Sequence, residues 1–262
     1  MNKQNASREF EKLLTMMDEL RKKCPWDKKQ TLETLRPLTI EETYELSHAI
    51  IEKNSGNIEA SMEKIKKELG DLLLHIVFYS KIASEQNSFT ITDVIESLCK
   101  KLIHRHPHIY GDVSAETSEQ VKENWEKLKL KEGNRSVMEG VPQALPAMVK
   151  AMRIQEKARA VGFDWENRDQ VWDKVVEELN EFKNVSDSDP EERISEFGDV
   201  LFALINYSRF IDVDPEMALE LTNKKFIERF RYMEQKATSS GKALSEMTLH
   251  EMDGLWDEAK KI

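Results

Sequence analysis

One set of acidic residues has the spacing of a carboxylate metal site. It contains Glu42 and Glu45, followed by Glu68 and Asp71. Residues three apart on a helix point to the same side, so each pair presents two carboxylates on one helical face. If a turn makes the two helices antiparallel neighbours, four carboxylates converge and repel one another unless a cation lies between them. Oxygen ligands without paired histidine or cysteine favour Mg²⁺, with Mn²⁺ as the alternative.

The same acidic pattern occurs again, in the same order, in the second half of the chain. The first acidic pairs are 136 residues apart and the second pairs are 128 residues apart. We expect the difference of 8 residues to lie in the turn between the two helices, where a change of length costs little. The second acidic set consists of Glu178, Glu181, Glu196 and Asp199.

A glycine occupies the same place in both acidic sets. Gly70 precedes Asp71, and Gly198 precedes Asp199. Glycine inside a helix costs about 1 kcal/mol relative to alanine. We therefore expect a neighbouring helix or a ligand to approach closely at both glycines.

Each half also carries a lysine and an arginine four residues apart, and later a tryptophan and a lysine four residues apart. On one helical face, such a basic pair could neutralise phosphates that a metal does not reach. The tryptophan could cover a base, and the lysine that follows it could contact a phosphate. The basic pairs are Lys101 with Arg105 and Lys225 with Arg229; the aromatic pairs are Trp125 with Lys129 and Trp256 with Lys260.

The elements that position these residues are predicted to be helices. With 34% charged residues, only 9 glycines and 7 prolines, and almost no strand pattern, the chain favours an all-α fold. Proline follows aspartate at Asp189 and Asp214, which is typical of a capped helix start. Helices are predicted up to about residue 24, from 32 or 38 to 52, and over 58–86, 92–105, 121–131, 147–160, 170–185, 190–211, 215–237 and 249–261.

The duplication favours two domains rather than one. Residues 133–146 contain two glycines and two prolines and form the best candidate for a linker. The prediction is an N-terminal domain over 1–132 and a C-terminal domain over 147–262.

Charge and hydropathy exclude several classes of protein. A net charge of -10 argues against binding to duplex nucleic acid, which requires a basic face. The apolar runs are too short to span a bilayer, and the first residues lack the apolar core of a signal peptide. We expect a cytoplasmic protein with no membrane partner.

Taken together, these motifs resemble the MazG family of nucleoside triphosphate pyrophosphohydrolases. The resemblance includes Cys24–Asp27, Glu41–Glu45, Arg105–His108 and Val161–Trp165, and it covers nearly the whole chain. It implies the all-α NTP pyrophosphatase fold, with two MazG-like helical bundles in tandem and dimerisation through the helices. It also implies Mg²⁺-dependent hydrolysis of nucleoside triphosphates to monophosphates and pyrophosphate.

The resemblance also assigns roles to the C-terminal copy, which it favours as the main catalytic one. The metal ligands would be Glu178, Glu181, Glu196 and Asp199, and the nucleotide contacts would be Lys225, Arg229, Trp256 and Lys260. The N-terminal set is nevertheless complete, so its residues are candidates for the same roles.

The hypothesis for the reaction is attack of a carboxylate-held water on phosphorus. Glu177 or one of the metal ligands would take the proton, while Lys225 and Arg229 stabilise the leaving charge. Two alternatives remain: a non-catalytic helical module whose acidic face docks a basic partner protein, and a phosphohydrolase that releases orthophosphate. The sequence leaves open the preferred base and sugar, and whether the α- or β-phosphorus is attacked.

Overall fold

The structure of the chain is a computed structural model, and it describes residues 2–52, 58–115, 117, 120–121, 124–125, 128, 136–186 and 188–261. Within these residues there are helices and connecting turns but no strand, as the all-α prediction requires. No helix among them combines the length and the apolar character needed to cross a membrane. The α-helices are α1 (Lys3–Lys23), α2 (Leu32–Glu52), α3 (Ile58–Glu85), α4 (Ile91–Arg105), α5 (Pro107–Tyr110), α6 (Ala147–Ala160), α7 (Arg168–Asn184), α8 (Pro190–Phe210), α9 (Pro215–Ser239) and α10 (Leu249–Ala259).

Local sequence explains where several of these helices begin. The side chain of Asp189 accepts a hydrogen bond from the backbone N–H of Glu192 at 3.0 Å. Asp214 does the same for Met217 at 2.9 Å. Both aspartates precede a proline at the first helical position, so the two predicted helix starts are confirmed.

The residues separate into two compact units, Met1–Val121 and Lys122–Ile262. The sequence placed the end of the first domain at residue 132, and that boundary and the linker at 133–146 stay predictions. The predicted helix over 121–131 falls largely outside the described residues.

In the first unit, helices α2 and α3 pack along each other and α1 packs against α3. Their buried side chains form a core in which every member is almost fully shielded from solvent. The core residues are Met17 from α1, Leu35 from α2, and Val77, Phe78 and Ile82 from α3.

In the second unit, α7 and α8 form the equivalent helix pair, and α6 packs against α8. Helix α9 packs mainly on α10 and also contacts α6. Buried apolar residues come from all five helices, with Val171 and Val175 of α7 the most completely buried.

The turn after the second helix of each pair has the same backbone conformation. Asn87 follows α3 with a φ of 54°, and Asp212 follows α8 with a φ of 53°. The next residue closes the helix end in both cases, with Ser88 N–H donating to Ala83 at 3.0 Å and Val213 N–H donating to Ser208 at 2.9 Å. Asparagine and aspartate tolerate this left-handed conformation better than other non-glycine residues. The duplication therefore extends to the turns.

The eight-residue difference between the copies lies in the helices, so the expectation that it lies in the turn was wrong. Glu42 is ten residues before the end of α2, and Glu68 is ten residues after the start of α3. In the second pair, Glu178 and Glu196 are each six residues from the corresponding helix ends. Residues 185–189 connect α7 to α8, whereas residues 53–57, between α2 and α3, lie outside the described part of the chain. Each helix of the first pair is longer by at least four residues, which is about one turn.

Candidate metal and nucleotide site

The first acidic cluster joins α2 to α3. Glu42, Glu68 and Asp71 each offer one carboxylate oxygen, and these three oxygens lie within 4.8 Å of one another. Glu68 is only 7% exposed, and the other two are half-buried. Glu45 is exposed and lies outside this group of three. The convergence predicted from spacing is therefore confirmed for three of the four carboxylates.

Burial and mutual repulsion act on this first cluster. The pKa of Glu42 is raised from its ordinary value, first by burial and then by the charges of Asp71, Glu45 and Glu68. One buried oxygen of Glu42 and one of Glu68 have no hydrogen-bond donor. A buried carboxylate oxygen without a partner is costly, and a bound cation removes that cost.

The second acidic cluster repeats this arrangement between α7 and α8. Glu178, Glu196 and Asp199 contribute oxygens within 4.8 Å of one another, and Glu178 is 7% exposed. The pKa of Glu196 is raised, first by burial and then by the charges of Glu181, Asp199 and Glu178. A buried oxygen of Glu196 has no donor. Glu181, like Glu45, is exposed and acts on the cluster through its charge.

Two lysines that the sequence reasoning missed neutralise part of each cluster. Lys67 Nζ lies 3.2 Å from Glu68 and 3.5 Å from Asp71. Lys174 Nζ lies 2.8 Å from Glu177 and 2.7 Å from Glu178. The hydrogen bond to Glu68 raises the pKa of Lys67, and the hydrogen bonds to Glu177 and then Glu178 raise the pKa of Lys174. Spacings of three and four residues from the acidic residues were the available signal for Lys174.

The two lysines are not equivalents of each other. Lys67 belongs to the second helix of its pair, and the corresponding residue of the other copy is Ser195. Lys174 belongs to the first helix of its pair, and its counterpart is Leu38. Each copy therefore uses its own lysine as an internal counter-ion.

The chemistry of both clusters fits a hard divalent cation. All candidate ligands are carboxylate oxygens, and the groups of the described residues that could hold a metal include no histidine or cysteine. The three donorless oxygens, two in the first cluster and one in the second, are available to a cation without breaking a hydrogen bond. Small oxygen-ligand sets of this kind are typical of Mg²⁺ and Mn²⁺, which keep part of their coordination for water or phosphate.

The two glycines beside the clusters do not receive a neighbouring helix. A Cβ built on Gly70 or on Gly198 meets no atom within 4 Å. The expectation that a helix approaches closely was therefore wrong. The expectation that a ligand approaches closely at these glycines stays a prediction.

In the second copy, the arginine of the basic pair contacts the tryptophan. Lys225 is exposed on α9, and Arg229 of the same helix has its guanidinium carbon 5.7 Å from the ring centre of Trp256 on α10. Lys260 Nζ is paired with Asp257 at 2.9 Å, so it is engaged within the chain.

The first copy is described less fully. Lys101 is exposed and Arg105 is half-buried, both on α4. Trp125 is half-buried, and its nucleotide role stays a prediction. Lys129 lies outside the described residues.

Comparison with known proteins decides the family. Residues 30–110, which include the first acidic cluster, match the family model described as the MazG nucleotide pyrophosphohydrolase domain. A protein of Thermotoga maritima named nucleoside triphosphate pyrophosphohydrolase/pyrophosphatase MazG is 44% identical over 256 residues, covering 96% of this chain and 95% of the relative. The chain belongs to the MazG family.

Two further relatives also align with nearly the whole of this MazG-family chain. The nucleoside triphosphate pyrophosphohydrolase of Escherichia coli K12 is 36% identical over 263 residues, with 97% of both chains covered. The uncharacterized protein YabN of Bacillus subtilis is 43% identical over 260 residues, covering 97% of this chain but 52% of YabN. The matches to the Thermotoga maritima and Escherichia coli proteins cover the residues of both helix pairs of this chain.

Proposed function

We propose that this MazG-family chain is a Mg²⁺-dependent nucleoside triphosphate pyrophosphohydrolase that converts NTP or dNTP and water to the monophosphate and pyrophosphate. The observation that carries the proposal is the pair of partly buried carboxylate clusters with donorless oxygens. Two relatives covered almost completely by this chain bear names for the same activity. Mn²⁺ is expected to substitute for Mg²⁺.

In the C-terminal copy, Glu178, Glu196 and Asp199 would hold the cation, with Glu181 at the edge of the cluster. A bound Mg²⁺ would supply charge stabilisation for the triphosphate and would acidify a bound water. The basic residues of α9, Lys225 and Arg229, are assigned to the charge that develops on the departing phosphate group.

The reaction forms one phosphorus–oxygen bond to water and breaks one anhydride bond. The water proton passes to Glu177 or to one of the carboxylate ligands. Glu177 is exposed and its Oε1 accepts a hydrogen bond from Lys174, so the lysine orients it beside Glu178. Attack at the α- or β-phosphorus gives the same products, and the position of ¹⁸O from labelled water distinguishes them.

The products formed after incubation with Mg²⁺ test this proposal directly. Pyrophosphate and orthophosphate are measured separately for each NTP and dNTP, with a chelator as the control. Pyrophosphate release that depends on Mg²⁺ supports the proposal. Orthophosphate release would indicate the alternative phosphohydrolase, and metal-independent binding of a basic protein without turnover would indicate the docking module.

Variants at the exposed carboxylates separate the two copies. We expect Glu181→Gln to lower the turnover of the C-terminal copy at least tenfold, which is roughly the loss seen when a metal site is perturbed. Glu45→Gln should do the same to the N-terminal copy, so the two single losses show how much each copy contributes, and the double variant should keep at most about a tenth of the wild-type turnover. Pyrophosphate release at the wild-type rate from the double variant would contradict the assignment.

The proposal also includes a homodimer and a cytoplasmic location. Helices α3 and α8 each present three half-exposed apolar side chains at spacings of four and three residues, and these occupy equivalent positions in the two copies. Such stripes are typical of helix-to-helix interfaces. The residues are Leu69, Leu73 and Ile76 on α3 and Phe197, Leu201 and Leu204 on α8.

A further inference from the structure

A buried histidine lies one helical turn beyond the first acidic cluster. His75 of α3 is only 7% exposed. Its Nδ1 is shielded from solvent and has no hydrogen-bond partner. A buried polar atom without a partner is costly, so such an atom usually meets a water, an ion or a ligand. The reaction proposed above does not use this side chain.

The imidazole of His75 faces α2 beside the cluster. His75 is four residues after Asp71 and four before Tyr79, so the three share one helical face. Asp71 belongs to the same oxygen group as Glu42 of α2. The hydroxyl oxygen of Tyr79 is 2.7 Å from Thr39 Oγ1, which is also on α2. His75 therefore lies between two contacts that α3 makes with one turn of α2.

Three shielded polar atoms without partners lie along this short stretch of the α2–α3 interface. They are one oxygen of Glu42, one oxygen of Glu68 and Nδ1 of His75. Thr39 is already engaged, because its hydroxyl bonds to the carbonyl of Leu35 and contacts Tyr79. A cation held by the carboxylates would satisfy the nitrogen as well if the imidazole joined its ligands.

The second copy has no imidazole at the equivalent place. With the offset of 128 that relates Asp71 to Asp199, the counterpart of His75 is Ala203. Ala203 is also 7% exposed, so the position is buried in both copies. Packing at this position therefore does not require a histidine. The group around Asp199 consists of carboxylates.

The chemistry of His75 suits a metal ligand. Burial lowers its pKa, and the charge of Asp71 opposes that change only in part. The neutral ring keeps a lone pair for a cation. Imidazole nitrogen favours first-row transition ions, whereas Mg²⁺ prefers oxygen. A spacing of four residues on a helix also allows two side chains to bind one metal ion.

We propose that His75 is an additional ligand of the first acidic cluster, and that it raises the preference of the N-terminal copy for Mn²⁺ over Mg²⁺ above that of the C-terminal copy. This inference deepens the proposed function, on which it rests, by giving each copy its own cation preference. His75 is not among the three residues whose oxygens group together, so we expect its ring to turn towards an ion when one binds. The C-terminal copy, with Ala203, keeps the preference of an all-oxygen site.

Electron spin-echo spectroscopy of the full chain loaded with Mn²⁺ tests this assignment, because it detects a nitrogen bound to the ion. We expect a coupling from a histidine nitrogen in the wild type. His75→Ala, which has the side chain of the second copy, should lose this coupling. His75→Gln should lose it too, and this variant keeps the size and polarity of the side chain, so misfolding does not account for the loss.

Calorimetry with Mn²⁺ alone and with Mg²⁺ alone measures the effect on selectivity. In both His75 variants, Mn²⁺ binding at one of the two sites should weaken about tenfold, and Mg²⁺ binding by no more than about twofold. The matched control is His250→Ala, because His250 is an exposed histidine of α10. It should leave the coupling and both affinities at the wild-type values.

The absence of nitrogen coupling in the wild type would overturn the inference. A coupling that persists in both His75 variants, or an equal loss of Mn²⁺ and Mg²⁺ affinity, would also overturn it.

The outcome for the proposed function is read independently. If wild-type protein releases pyrophosphate with Mg²⁺ but shows no nitrogen coupling with Mn²⁺, only the role of His75 is wrong. If the coupling is present but neither cation supports release of pyrophosphate, the nitrogen ligand stands and the hydrolase assignment fails.

Discussion

At the scale of single residues, the carboxylates of Glu42 and Glu196 carry the clearest sign of a metal site. Each has a raised pKa caused first by burial and then by neighbouring carboxylates. Each also has a buried oxygen without a donor. The metal-free protein therefore holds protons at these positions more tightly than the unfolded chain does.

This difference predicts a pH dependence of stability in the presence of a chelator. Because the folded pKa of Glu196 lies above its ordinary 4.5, its contribution favours folding at acidic pH. That contribution is lost as pH rises from 4.5 through the raised pKa. Thermal unfolding temperatures measured between about pH 4 and 8 should fall more steeply with pH for the wild type than for Glu196→Gln.

Glu251 provides a control of opposite sign. The hydrogen bond from Lys242 is the first cause that lowers its pKa to about 2. Its contribution is present above 4.5 and is lost as pH falls towards 2, so Glu251→Gln should lower the unfolding temperature above pH 4.5 and lose that effect at acidic pH. If the unfolding temperatures of the wild type and of Glu196→Gln depend on pH in the same way, burial and neighbouring charges do not destabilise the ionised form of Glu196.

Gly198 gives a second prediction at this scale. Since a Cβ there meets no atom, Gly198→Ala should stabilise helix α8 by about 0.5–1 kcal/mol and raise the unfolding temperature by roughly 2–4 °C. If the open space receives a ligand, the same variant should lower turnover. Gly70→Ala is the matched variant in the other copy, and a lowered unfolding temperature in either would contradict the open space.

At the scale of helices, the two lysines are the features that distinguish the copies. Lys174 holds Glu177 and Glu178 within α7, whereas Lys67 holds Glu68 and Asp71 within α3. An ammonium group and a metal ion can neutralise the same carboxylates. When no metal is bound, each lysine therefore compensates part of the negative charge of its cluster.

We therefore expect Lys174→Met to destabilise the metal-free protein and to increase the stabilisation by Mg²⁺. The loss should be roughly 1 kcal/mol, a value limited by solvent because a third of the lysine side chain is exposed. Unfolding temperatures measured with chelator and with excess Mg²⁺ give both quantities. Lys67→Met should have a smaller effect, since Lys67 is more exposed. If Mg²⁺ raises the unfolding temperatures of Lys174→Met and the wild type equally, Lys174 and Mg²⁺ do not compete for the same carboxylates.

The helices, and three of the four carboxylates in each acidic set, could be predicted from the sequence because they depend on local spacing. The starts of α8 and α9 could be predicted because Asp189 and Asp214 are typical N-cap residues and each is followed by a proline. The position of the eight extra residues could not be predicted, because an offset gives their number but not their location. The ion pair between Lys67 and Glu68 was missed because adjacent residues on a helix usually point in different directions. In the structure the Lys67 side chain nevertheless reaches Glu68.

At the scale of the whole molecule, the apolar stripes of α3 and α8 predict self-association. We expect a mass of twice 30.5 kDa in light scattering. Leu201→Glu combined with Leu73→Glu should shift the protein to monomer, because a buried charge opposes association. Leu249→Glu is the control, since Leu249 is exposed but lies outside both stripes. A dimer that persists in the double variant would place the interface elsewhere.

The extra turn in each helix of the first pair has a consequence for how such a chain can diverge. Four residues advance a helix by about 6 Å and rotate it only about 40° beyond a full turn. Lengthening both helices together therefore moves the carboxylates along the pair without turning them away from each other. The position of a carboxylate cluster along its helix pair is therefore something that insertion can change in steps of one turn, so one chain can hold two clusters of the same chemistry at two positions along their helix pairs.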